Sequence, residues 1–349
     1  MGFSHGTSVD RGARVIAFAV FAAIALFSAS PAPADEYFKG KTVRLVVGTP
    51  PGGGYDTYGR LVARHLGEYL PGHPTVIVVN MAGASGMNAV TWLYTQAPRD
   101  GTVIATFNKS MPFYQALGQQ GVRFKSEELS FIGSMSQDPD VVSVWHASGV
   151  KTIEDAKMRQ VVMGANSGGT MTLYPALLNA TVGTRFKIVT GYPGSAAVYL
   201  AVEKGEVDGA GSSPWTSWKV SRPAWVRDGL IVPLVQVGLK RDADLQHVPL
   251  LVDLAATPEQ HTMFKFVSAP ASIERPFAGP PGMPAAIVDI YRRAFTDVVK
   301  SPRLREEAGR LNLDLDPQPG DAVAKIVSEI VTTTPAIVAK VKAITDEGR

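Results

Sequence analysis

Lys41-Thr-Val-Arg-Leu-Val-Val-Gly-Thr-Pro-Pro-Gly-Gly-Gly-Tyr-Asp56 is the stretch whose reading decides the fold. The apolar run 43–47 predicts a buried strand. Pro50 and Pro51 stop it, Gly52, Gly53 and Gly54 follow, and a helix starts near Asp56. A glycine-rich turn between strand and helix leaves backbone N–H groups free, and the helix dipole adds positive potential there. That geometry suits an anion, particularly a carboxylate. The turn lacks the Gly-Lys-Ser/Thr ending of a phosphate-binding loop and the G-x-G-x-x-G spacing, so a nucleotide is weakly supported. A tight βα turn, with Asp56 merely opposing the dipole, is the alternative reading.

Working outward, Thr75–Asn80 and 102–107 read as further strands. Between the first two strands Tyr58, Leu61, Val62, His65, Leu66 and Tyr69 recur at helical spacing; Ala89, Trp92, Leu93 and Gln96 do so before the third. This β-α-β-α-β order implies a parallel sheet covered by helices. The pattern restarts after about residue 141. Strands are expected at 161–165, 187–190, 207–211 and Ile231–Val237, and helices at 170–181, 195–204 and 214–226. The fold class is α/β, with two open α/β domains around a ligand cleft, because ligands of such sheets bind beyond the carboxyl ends of the strands. The tail predicts helices at Ala285–Lys300, 302–311 and 321–343, returning to the first lobe. The expected division is 1–34 signal peptide, 35–140 first lobe, 141–264 second lobe and 265–349 return to the first lobe. The crossovers fall within 131–145 and 263–273.

Arg11 and Arg14, an apolar stretch of thirteen residues from Val15 to Phe27, and Ala32-Pro33-Ala34 before Asp35 have the layout of a secretory signal peptide. Thirteen residues span only about 20 Å as a helix, short of the ~30 Å hydrocarbon core. Export with cleavage near Ala34 and a periplasmic address are therefore expected. No cysteine is present, which excludes disulfides, thiolate nucleophiles and a lipidated N-terminal cysteine. A net charge of +3, from 34 basic and 31 acidic residues without long basic runs, gives no argument for nucleic acid.

Four more small-residue turns follow predicted strands and open predicted helices. They centre on 82–88, 164–170, 191–195 and 211–215. Short side chains at all five favour a ligand approaching backbone, although their Ser and Thr residues could be N-caps. The candidate ligand contacts are Thr49, Gly53, Tyr55 and Asp56 from the first turn and Ala84, Ser85 and Asn88 from the second. Asn166, Ser167 and Thr170 come from the third, Tyr192 and Ser195 from the fourth, and Ser212, Ser213 and Trp215 from the fifth. No H-x-x-x-H or H-E-x-x-H pairing and no G-x-S-x-G elbow occurs, so no metal, cofactor or catalytic residue is expected. Acidic residues other than Asp56 are not paired near the turns.

Pro51-Gly-Gly-Gly-Tyr-Asp56 with Arg60, Asn80-Met-Ala-Gly-Ala-Ser-Gly86, Ala97-Pro-Arg-Asp-Gly101, Lys151-Thr-Ile-Glu-Asp155, Tyr192-Pro-Gly-Ser-Ala-Ala197, Gly205-Glu-Val-Asp208 and Pro281-Gly-Met-Pro284 resemble, in order and spacing, the receptor component of tripartite tricarboxylate transporters, the Bug-type extracytoplasmic solute receptors. The resemblance covers almost the whole chain after the leader. It implies a two-lobed periplasmic binding protein, type II-like, that holds a small organic anion through backbone amides, hydroxyls and water. It implies delivery to a membrane permease with a large and a small integral subunit. The exported chain, the paired lobes and the anion-suited turns lead to the expectation of a monomeric solute-binding receptor with no chemistry of its own. A ligand sensor for a signalling receptor, an exported enzyme on the same scaffold and a ligand-free structural protein are the rival readings. Tyr55 replaces a frequent threonine of the family, Ala82 a common proline, and Gly168-Gly-Thr-Met-Thr a Ser/Gly turn followed by histidine. Tyr55, Tyr192 and Trp215 suggest an aromatic cleft.

Overall fold

The structure is a computed structural model that describes residues 1–3, 36–166 and 169–347. The expected signal peptide falls almost wholly on 4–35 and so, like Ser167, lies outside the described residues.

The quoted stretch folds as strand, turn and helix. Strand β1 (Thr42–Val47) is followed by helix α1 (Gly54–Tyr69). Tyr58, Leu61, Val62 and Leu66 form the buried face of α1, each large side chain contributing roughly 1.5–3 kcal/mol. Leu70 and Pro71 end it, since the residue before a proline disfavours the helical region. Strand β2 (Thr75–Asn80), helix α2 (Met87–Thr95), strand β3 (Val103–Thr106) and helix α3 (Met111–Ala116) complete the first half of the lobe. β1 lies between β2 and β3, parallel to both, which is why it is an apolar run. β2 is an edge strand, and its alternating exposure follows from that place.

Strand β4 (Ser130–Ser136) belongs to this sheet and strand β5 (Asp140–Trp145) to the second, so the chain changes lobe at 137–139. The second lobe contains helix α4 (Ile153–Met158), strand β6 (Val161–Asn166), helix α5 (Thr170–Val182), strand β7 (Phe186–Tyr192) and helix α6 (Ser195–Glu203). Strand β8 (Gly209–Pro214), helices α7 (Trp215–Ser221) and α8 (Pro223–Arg227) and strand β9 (Ile231–Val237) follow. Its strand order is β7-β6-β8-β5-β9, with β6 parallel to β7 and β8 and β5 antiparallel to β8 and β9. Helix α9 (Pro258–Ser268) leads to strand β10 (Glu274–Gly279), which returns to the first sheet between β3 and β4, antiparallel to both.

The tail departs from expectation. After helices α10 (Ala285–Lys300) and α11 (Pro302–Arg310), and the short strand β11 (Gln318–Pro319) at the edge of the first sheet beside β4, the expected helix 321–343 is two: α12 (Gly320–Val331) and α13 (Pro335–Glu347), bent by 78°. Three threonines and Pro335 break it, because proline has no N–H for the helical ladder. α12 packs on β4 in the first lobe, but α13 packs on α5 in the second. Ile337 and Val341 join the buried cluster of Leu173 and Leu177, and Lys340 pairs with Glu259 at 2.5 Å. The return of the tail to the first lobe is thus incomplete: the chain crosses between lobes a third time.

Candidate functional site

A cleft of about 450 Å³ lies between the lobes, beyond the carboxyl ends of β1, β6 and β8. Three helices open onto it by their N-termini. Their N-caps are Gly53 for α1, Gly169 for α5 and Gly194 for α6, and none makes a side-chain capping bond. Thr170 and Ser195 are first residues of their helices rather than caps. The N-terminal N–H groups of these helices are left without a side-chain acceptor at the cap, one set from the first lobe and two from the second. Hydroxyls complete the lining. Ser212 Oγ donates to Thr170 Oγ1 at 3.2 Å, and Tyr199 and Ser213 share a hydrogen bond of 2.6 Å.

Of the residues singled out in the sequence, Gly53, Tyr55, Ser85, Asn166, Thr170, Ser195, Ser212 and Ser213 line this cavity. Thr49, Asp56, Ala84, Asn88, Tyr192 and Trp215 do not. Asp56 is buried behind the turn. Its Oδ2 accepts from the Gly52 N–H and from Arg60 Nε, both at 2.9 Å, and its Oδ1 accepts from Asn80 Nδ2 at 2.8 Å. Asn80 Nδ2 also donates to the Thr49 carbonyl. Burial by itself would raise the Asp56 pKa, but the donors from Arg60, Gly52 and Asn80 outweigh it and hold the carboxyl below its usual value. Asp56 therefore shapes the loop from behind. Asn88 Nδ2 reaches back to the Ala82 carbonyl inside its own turn, and Ala84 sits there with φ 47°. Tyr192 packs on the second lobe's core, and Trp215 is buried with Nε1 donating to Asp244. The aromatic wall is instead Tyr55 with Tyr58, Tyr114 and Tyr199.

The floor holds charges that the sequence reading missed. Lys109 Nζ pairs with Glu274 at 2.5 Å and Asp140 at 3.1 Å, and donates to the Asp138 carbonyl at 3.3 Å. Tyr174 donates to Asp140 Oδ2 at 3.0 Å. Arg275 Nη1 donates to Ser136 Oγ at 3.0 Å and lies 3.6 Å from Asp138 and 3.7 Å from Glu274; its Nη2 donates to Thr216 Oγ1 at 3.0 Å. Thr216 in turn bonds Asp138 through both N–H and hydroxyl. All five charged side chains are buried. Three carboxylates face two cations, and burial pushes the Asp138 carboxyl up to about 6 against the pull of Arg275. Lys109 and Arg275 keep Glu274 below its usual value despite burial. Acidic residues are thus gathered beside the turns after all. No local pattern announces them, since Lys109, Asp140 and Glu274 come from three distant segments. The one available signal was Glu274-Arg275 between the apolar Ile273 and Phe277.

Two open α/β lobes around a polar cleft ringed by helix N-termini define a solute-binding protein that takes a small anion between its domains. The chain belongs to the receptor family of the tripartite tricarboxylate transporters: the family profile described as "Tripartite tricarboxylate transporter family receptor" matches residues 59–343. A curated protein of Cupriavidus necator, described as "UPF0065 protein in gbd 5'region", is 26% identical over 322 residues, covering 90% of this chain and 91% of that protein. A ligand-free TctC solute binding protein from Polaromonas has a TM-score of 0.65 at 23% identity, over 88% of this chain and 98% of that one. An R. palustris protein solved with adipate has a TM-score of 0.62 at 22% identity, over 86% and 97%. MatC from Rhodopseudomonas palustris, with bound malate, has a TM-score of 0.60 at 18% identity, over 85% and 98%. These structures share the fold.

Proposed function

We propose that this receptor captures a small organic carboxylate in the cleft, unaltered, and hands it to a permease with a large and a small integral subunit. It works as a periplasmic monomer released from a signal peptide cleaved near Ala34. The lobes divide at 35–140, 141–264 and 265–349, with α13 lying back on the second. The carboxylate sits among Gly53, Ser85, Asn166, Thr170, Ser195 and Ser212, with Ser167 beside them in the chain. The carrying observation is that helix N-termini from both lobes, with no side-chain caps, open on one cavity. An anion between them satisfies donors of both lobes at once, so it favours the closed arrangement that a permease could recognise.

Thermal melting with a panel of mono-, di- and tricarboxylates, each beside its methyl ester, tests this. Adipate and malate, bound by two structural neighbours, come first. At about a hundred times its dissociation constant a ligand stabilises the native state by ~2.7 kcal/mol, a rise of roughly several degrees for a chain of this size. An acid should produce that rise and its ester should not. Equal shifts from acid and ester would remove the anion argument.

A further inference from the structure

The floor cluster uses its cations unequally. Lys109 donates to Asp140 and the Asp138 carbonyl and lies against Glu274 as an ion pair, so its ammonium is enclosed by the protein's own acceptors. Arg275 spends only part of its guanidinium. Nη1 meets Ser136, Asp138 and Glu274, and Nη2 meets Thr216, while Nε is buried and has no acceptor among the described residues. The side chain is 3% exposed, yet Arg275 is among the residues lining the cleft. The edge carrying Nε and Nη2 faces the start of α1. A methyl group on Gly54 would stand 3.8 Å from Nε and 3.4 Å from Nη2. The guanidinium plane also lies over the Tyr58 ring, at 4.2 Å from its centre, which keeps it from swinging away.

A guanidinium presents its N–H groups in a fixed fork that matches a carboxylate. Here that fork has one edge held by the protein's own acids and hydroxyls. Its other edge lies beside the uncapped N-terminus of a sixteen-residue helix. We infer that Arg275 is the charged anchor of the ligand: its Nε–H donates to the carboxylate seated at the glycine turn 52–54. The inference rests on the carboxylate reading above and adds a side-chain cation to the backbone amides. Glu274 and Asp138 hold the guanidinium's far side, so the anchor is oriented before ligand arrives.

The test uses the full chain and the acid of the panel that binds most tightly by calorimetry. Arg275→Lys keeps the charge and removes the fork. Gly54→Ala places a methyl over the Nε–Nη2 edge in a helical residue whose φ is not positive, so the fold should be kept or slightly strengthened. Each is expected to lose at least tenfold in affinity. A crystal structure of the parent with the acid should put a carboxylate oxygen within hydrogen-bond distance of Arg275 Nε, and it decides the matter even if Arg275→Lys does not fold. An acid that binds the parent with its carboxylate elsewhere, or that binds both variants within twofold of the parent, overturns the anchor and leaves the carboxylate reading standing. If no acid of the panel binds, both fall together.

Discussion

Asp56 joins the Gly52 N–H, Arg60 and Asn80, and through Asn80 the Thr49 carbonyl. It therefore ties both sides of the turn to the end of β2. Hydrogen bonds to a charged group are worth ~1.5–3 kcal/mol. Asp56→Asn puts an amide N–H₂ among donors, so it should lower stability by about that amount and loosen the loop in front. Ligand affinity should then fall more than stability does, because the backbone of 52–55 loses its set geometry. Calorimetry beside urea unfolding separates the two, and a variant that binds like the parent would show that the loop holds its shape unaided. The pH dependence has a definite sign. The folded-state pKa of Asp56 is depressed. Its contribution to stability is thus complete above the unfolded value near ~3.9 and is lost as pH falls through the folded one. Between pH 5 and pH 2 the parent should lose stability more steeply than Asp56→Asn.

At the scale of elements, Gly211 shows why a small residue stands in a strand. Pro175 inside α5 lacks the N–H that would bond the Met171 carbonyl, and β8 packs against this part of α5. A methyl on Gly211 would lie 1.9 Å from that carbonyl oxygen and 2.9 Å from the Pro175 ring. Gly211→Ala should cost at or beyond the upper end of the ~1–3 kcal/mol usual for overpacking. An unchanged denaturant midpoint would mean that α5 moves aside freely. The helix periodicity that located α5 carries no information on this approach, since it concerns a neighbour 40 positions on, Gly211 against Met171. Likewise 214–226 and 321–343 read as single helices. The prolines at 223 and 335 split them, with α7 ending at Ser221 and α12 at Val331.

For the whole molecule, α13 is a third tie between lobes. The two crossovers at 137–139 and before β10 form the floor of the cleft, whereas α13 spans its side onto α5. Phe113 and Phe266, their ring planes tilted and their centres 4.9 Å apart, lie in the same apolar cluster as Ile337 and Val341. On the far face, Lys219 pairs with Asp314 at 2.5 Å and Lys240 with Asp316 at 2.9 Å, again across the lobes. A chain ending at Thr334 would uncover Leu173 and Leu177. It should melt several degrees lower, since each lost ~1 kcal/mol moves the midpoint by a few degrees. Small-angle scattering should show a larger radius of gyration. If scattering and melting match the parent, α13 does not hold the lobes.

The quoted strand, turn and helix, the alternation that repeats it, and the small residues after β1, β2, β6 and β7 were all legible in the chain, whereas the expected turn at 211–215 is strand β8 running straight into α7. Each is a local property: strand and helix periods, proline stops, and glycine where backbone must stay open. From these the α/β class, the two lobes and the cleft's backbone rim follow. Tertiary structure alone decided which turn residues face the cleft. Asp56 and Trp215 come from the expected turns, but their side chains are drawn inward by Arg60 and Asn80, and by Asp244. It also decided the charged floor. Lys109, Asp138, Asp140, Glu274 and Arg275 meet only because two crossovers pass side by side. Buried charges need partners, and in this protein those partners are brought by long-range topology, which no window of sequence contains.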